Sequence, residues 1–218
     1  MKKTYLHPLP LRIWHWVNAF LGITLLVTGI QLRLPGIASL QPHNTPLLVH
    51  RYVGWAMAAS FVFWLGYSLI SRHLSRQYGI RGRDLEGVFR QAKFYLVSIF
   101  KGEENPFRPT PDEKFNPLQK LAYGAIMCIF APVLVITGVL LNDKLFLREY
   151  ILRWDVVGLL NALHVMGAYV FALYLIVHIY MATLGRTATS HIRAMIVGYE
   201  EEAEETTPSL PSPLEGEG

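Results

Sequence analysis

The sequence predicts an all-α, integral membrane four-helix bundle with metal-centred cofactors near both ends. Three observations carry this. The 218 residues are 52% apolar and only 17% charged, a balance outside the ordinary range of soluble domains. Apolar runs occur at Ile13–Leu32, Leu47–Ile70, Leu118–Leu141 and Leu159–Leu184, each reaching the roughly 20 residues that a spanning helix needs. The last run contains no Asp, Glu, Lys or Arg, yet two histidines interrupt it, His164 and His178, 14 residues apart. That interval is about 21 Å along a helix axis and returns to within about 40° of the same face. An ionisable residue inside an apolar span is costly and therefore points to function.

Orientation follows from the basic residues. All but five of the 20 Lys and Arg fall in the N-terminal segment, the Arg72–Lys120 connection with its flank, or the C-terminal segment; the five are Arg33, Arg51, Lys144, Arg148 and Arg153. The positive-inside rule then places both termini and the long middle connection in the cytoplasm. The net charge of +4 follows from the same bias and calls for no nucleic-acid partner. The lone Cys128 excludes an internal disulfide and a multi-cysteine iron–sulfur or zinc site within this chain.

The first span opens with Arg12-Ile-Trp-His15-Trp-Val-Asn18 and follows a basic start with no small-residue cleavage site. It is read as a retained helix. His15 lies about one turn inside the cytoplasmic end between two tryptophans suited to the interface. Gly29 stands 14 residues further on. The second span starts at the outer side with His50-Arg51-Tyr52-Val53-Gly54. Gly54 shares a face with His50 one turn deeper, where a glycine either admits a flat macrocycle or packs a neighbouring helix.

Within the cytoplasmic connection, Leu85–Phe100 has helical spacing with Arg90 and Lys93 on its polar side, as expected of a helix lying on the membrane surface. The third span enters through Asn116-Pro117, an N-cap followed by a proline at the first helical position. Gly124 and Gly138 repeat the 14-residue interval, and Pro132 between them predicts a kink. Residues 1–199 form the membrane domain, and 200–218, acidic and then Pro/Ser/Gly-rich, are expected to be a disordered tail.

Topology converts the histidines into a constellation. The first and third spans run outward and the second and fourth run inward. His15 and His178 therefore share one depth near the cytoplasmic face, and His50 and His164 share another near the outer face. Packing histidines have no reason to pair by depth, whereas two bis-histidine haems in a four-helix bundle require it. Two axial ligands leave no open position for substrate, so such haems carry electrons. His7, His43, His73 and His191 lie outside the spans and receive no ligand role. Met57, Met127 and Met166 are ordinary apolar filler.

Arg12-Ile-Trp-His15-Trp, His50-Arg51-Tyr52-Val53-Gly54, Asn116-Pro117-Leu118-Gln119-Lys120-Leu121 and His164 with His178 resemble the prokaryotic cytochrome b561 group. More closely, they are similar to the b-type cytochrome subunits of formate dehydrogenase, nickel–iron hydrogenase and thiosulfate reductase. The resemblance runs from about Tyr5 to Tyr199. It implies two haem b groups, the outer one on His50 and His164 and the inner one on His15 and His178. It also implies a quinone site beside the inner haem at Asn116, with Gln119 and His178 as neighbours. Arg12 and Arg51 adjoin ligand histidines, where a guanidinium either pairs with a haem propionate or anchors at the interface. The implied partners are membrane lipid and catalytic and iron–sulfur subunits on the periplasmic side. The competing readings are a self-contained membrane oxidoreductase passing electrons between an outer small molecule such as superoxide and quinone, and a haem-free scaffold whose histidines only pack.

Overall fold

The computed structural model describes residues 2–34, 44–71, 82–107, 115–142, 154–185 and 187–202. The connections carrying His43 and His73, and the tail beyond residue 202, lie outside them. Four helices are long and apolar enough to cross a membrane: Leu9–Arg33, Asn44–Ile70, Pro117–Asn142 and Val156–Ala182. They take in nearly all of each expected span, the fourth stopping two residues short.

In chain order the elements are strand β1 (Lys2–Tyr5), α1 (Leu9–Arg33), α2 (Asn44–Ile70), α3 (Gly82–Leu96), α4 (Pro117–Ala125), α5 (Ala131–Asn142), α6 (Trp154–Ala182), α7 (Ser190–Val197) and strand β2 (Tyr199–Glu202). Close helix packing runs from α1 to α2, α2 to α5 and α5 to α6. The spans are inside-out relative to a soluble bundle. Small or polar residues such as Gly22, Thr28, Ala58, Ser68 and Thr137 are buried, while Phe20, Phe63 and Ile176 are about two-thirds exposed, at 70%, 68% and 67%. Lipid gives apolar side chains no reason to turn inward, and small residues let helices approach.

α4 and α5 form one span interrupted by a π turn, Ile126–Phe130, in which the Ala131 N–H reaches back to Ile126 O. Pro132 has no N–H and its ring would crowd the Cys128 carbonyl one turn earlier. The wider turn absorbs this where a kink is expected. It also inserts a residue between Gly124 and Gly138, so their interval no longer returns them to one face as it would in an uninterrupted α-helix. Met127, Cys128 and Pro132 line an apolar groove of ≈ 310 Å³ against Phe61, Trp64 and Leu65 of α2.

Two features tie the ends of the chain together. β1 and β2 pair antiparallel, with Lys2 opposite Glu202 and Lys3 opposite Glu201 in register. This short ribbon is an addition to the all-α expectation, and it takes in Glu200–Glu202, which the sequence assigns to the tail. Gly198, at φ 94°, closes α7 and redirects the chain into β2. Its carbonyl accepts from the N–H groups of Leu6 and His7 at 3.0 and 3.2 Å. A Cβ there would lie 2.9 Å from His7 O in a backbone conformation that side chains rarely adopt.

α3 has three faces. Asp84, Gly87, Gln91 and Phe94 are buried, and the helix packs on α4. Leu85, Phe89, Leu96 and, in the following 3₁₀ turn, Phe100 face outward. Arg90 and Lys93 are also exposed. The polar Asp84 and Gln91 thus turn inward with Phe94, while Leu85, Phe89 and Leu96 turn outward.

Candidate functional site

α6 supplies one histidine to each of two pairs. At the end of the bundle where β1 and β2 lie, here the terminal end, His15 of α1 faces His178 with ring centres 6.1 Å apart. At the far end, His50 of α2 faces His164 with ring centres 6.2 Å apart. The structure therefore brings together the partners that depth and topology pair. An imidazole nitrogen bonds a first-row metal ion at about 2.0 Å and its ring centre lies about 1.2 Å behind, so two imidazoles facing one metal have centres about 6.4 Å apart. Both pairs come close to that value. All four rings are half-buried.

The far pair is held by hydroxyls. Thr28 Oγ1 lies 2.9 Å from His50 Nδ1, and Thr137 Oγ1 lies 2.9 Å from His164 Nδ1. The glycine after each threonine lies against the same ring, and Gly138 makes room for it. A Cβ on Gly29 would stand 3.5 Å from His50 Cε1, and one on Gly138 only 3.1 Å from His164 Cε1. Gly138 thus accommodates an imidazole from a neighbouring helix and a Cβ on Gly29 would make ordinary contact with one, whereas a Cβ on Gly54 would meet nothing within 4 Å. Gly138→Ala is expected to displace His164 by a few tenths of an ångström and to weaken whatever the far pair holds, read as cofactor lost on purification.

The pair at the terminal end is enclosed by aromatics. Tyr174 stacks on His178 at 5.6 Å, Tyr123 meets the same ring edge-on at 6.1 Å, and Trp16 meets His15 at 5.2 Å. His15 Nδ1 is buried without a hydrogen-bond partner among the described residues.

Asn116 caps α4 in a capping box. Its Oδ1 accepts from Gln119 N–H at 2.8 Å, while Gln119 Oε1 accepts from Asn116 N–H at 3.1 Å. The other end of the Asn116 amide donates to the Tyr95 hydroxyl at 3.2 Å, joining α3 to the start of α4. Burial pushes the Tyr95 phenol up, against hydrogen bonds to Gln91, Asn116 and Asn105, so Tyr95 is neutral near pH 7. Arg12 Nη1 donates to Ile196 O and Trp16 Nε1 to Met195 O at 3.2 Å, so this end of α1 is pinned to α7. Arg51 Nε donates to Asn142 Oδ1, closing the far end of α2 on α5. Met166 is 64% exposed.

The comparisons with known proteins fit this arrangement. A family model described as prokaryotic cytochrome b561 matches residues 6–198. The chain belongs to that family. It is a multi-pass membrane b-type cytochrome, and membership implies haem b and electron transport. It is 32% identical over 204 residues to "Putative cytochrome YdhU" of Escherichia coli (strain K12), covering 91% of this chain and 75% of that protein. It is also 27% identical to a "Probable Ni/Fe-hydrogenase B-type cytochrome subunit" of Bradyrhizobium diazoefficiens, covering 82% of this chain and 77% of that one. A protein of the same name from Cupriavidus necator is 25% identical, covering 91% and 87%.

Thr28, Thr137, Tyr95, Tyr123 and Tyr174 are absent from the sequence-based set. A signal for the threonines exists: Val27-Thr28-Gly29-Ile30 and Ile136-Thr137-Gly138-Val139 are near repeats at matching depths in the first and third spans.

Proposed function

We propose that this cytochrome is the dihaem membrane subunit of a respiratory oxidoreductase, moving electrons between a catalytic partner and membrane quinone. The separation of the two histidine pairs, 6.1 and 6.2 Å between ring centres, carries the reading. His50 and His164 would hold one haem b and His15 and His178 the other. When bound, these groups would supply one-electron transfer. α6 would supply one ligand to each centre, His164 toward one end and His178 toward the other.

The positive-inside bias supports placing the terminal end in the cytoplasm and the far pair toward the periplasm. α3, with its outward Leu85, Phe89 and Leu96, would lie along the inner membrane surface. The relatives named as hydrogenase cytochrome subunits support a catalytic partner over a self-contained enzyme. That partner, with iron–sulfur centres, would meet the far pair. Quinone would bind near Asn116 and His178.

A pyridine haemochrome assay with protein quantitation tests the reading: about two haem b per purified chain are expected from four axial histidines. No haem in folded protein would sink it. For the quinone site, Asn116→Asp keeps the cap, since Asn and Asp serve equally there, but removes the amide donor. It is expected to slow turnover with quinone roughly ten-fold, the value of a hydrogen bond worth about 1.4 kcal/mol, with both haem spectra intact. Unchanged turnover in Asn116→Asp would reduce Asn116 to a helix cap.

A further inference from the structure

The threonines of the far pair act on the ligands as well as on the helices. A hydroxyl has one proton to give, and in each case its destination is identifiable. Thr28 Oγ1 lies 2.7 Å from Thr24 O, and Thr137 Oγ1 lies 2.6 Å from Val133 O. O–H···O bonds centre near 2.7–2.8 Å and N–H···O bonds near 2.9–3.0 Å. The short contacts to the carbonyls therefore carry the hydroxyl protons, and the 2.9 Å contacts to His50 and His164 carry ring protons, which the carbonyls of Leu25 and Leu134 also accept. Both threonines are buried, 6% and 4% exposed, so water does not compete for their lone pairs.

Building on the ligation proposed above, we infer that Thr28 and Thr137 are positioning residues that fix His50 and His164 as Nδ1–H imidazoles, present both Nε2 lone pairs to the metal, and hold down the midpoint potential of the far haem. The second part follows from the first. An acceptor on Nδ1–H makes the ring a more basic ligand, and a more basic ligand favours the oxidised, more positive iron. The terminal pair is built differently, with the Nδ1 of His15 lacking any such partner among the described residues.

The experiment is an optical redox titration of the purified dihaem protein in four variants, Thr28→Val, Thr137→Val, Thr28→Ser and Thr137→Ser. Valine keeps the shape and removes the hydroxyl; serine keeps the hydroxyl. The far haem is assigned as the component missing from His164→Ala, and the terminal haem serves as internal control. In each valine variant the reduced-to-oxidised ratio of the far haem at a given potential is expected to rise about ten-fold, which for one electron is 59 mV. The terminal haem stays in place, and serine restores the far haem. An unmoved far midpoint in both valine variants, with both haems bound, would overturn the threonine role and leave the ligation standing. Should a valine variant lose the far haem altogether, retention of that haem at its original potential in the serine variant supports the role. Loss from the serine variant as well overturns it. Wild-type protein without haem would instead remove the ligation on which the inference rests.

Discussion

His164→Ala is expected to leave a folded protein carrying the terminal haem alone, and His15→Ala one carrying the far haem alone. The argument rests on which histidines share a centre. His164 and His178 lie on one helix, but the rings that approach each other are His50 with His164 and His15 with His178. Four single variants should therefore fall into two classes. His50→Ala should resemble His164→Ala, and His15→Ala should resemble His178→Ala, in haem content and in the spectrum that remains. Each loses about half of its haem, because one axial donor of two is removed while the other pair, about 21 Å away along α6, keeps both. Circular dichroism establishes folding, and haemochrome and redox difference spectra give the class. Equal loss of both haems from folded protein in every variant would contradict the pairing.

The bundle was legible because lipid imposes a rule that sequence obeys locally. A span must be a long run without charge, and each such run announces itself whatever its neighbours are. The histidine pairs were legible for a related reason, since alternating span direction assigns a depth to every residue. What depends on lateral contact was not visible. Thr28 and His50 are 22 residues apart and Thr137 and His164 are 27 apart, and nothing in the sequence near either threonine says which ring it will touch. The π turn at Ile126–Phe130 shifts the phase of the third span, so the regular interval between Gly124 and Gly138 misleads. α3 was legible as an amphipathic helix, but Asp84 turns inward to Lys120 of α4 and Gln91 to Asn105. A polar face sought by a buried lysine is indistinguishable in sequence from one sought by water.

That inward face gives the second large effect. Lys120 Nζ lies 3.8 Å from Asp84 Oδ1, and both side chains are 7% exposed. Gly87 lets α3 come down onto α4 beside this pair, since a Cβ there would fall 2.6 Å from Pro117 Cγ. Lys120→Met removes one partner of this buried pair, a change that costs about 3–5 kcal/mol. For a chain of this size that corresponds to a melting temperature lower by roughly 10 °C, measured by thermal denaturation of the purified protein in detergent. The double variant Asp84→Leu with Lys120→Met removes both charges and is expected to recover most of the loss, because desolvation offsets much of what a buried pair gains. A double variant as unstable as the single one would mean that the attraction within the pair, rather than the imbalance of removing one partner, holds α3 on α4. Both haem spectra should survive in Lys120→Met, since no histidine lies on either helix. Quinone turnover should fall, because Tyr95 leaves Asn116 when α3 lifts. Joint survival of full turnover and haem in a destabilised Lys120→Met protein would separate the α3–α4 corner from the quinone site.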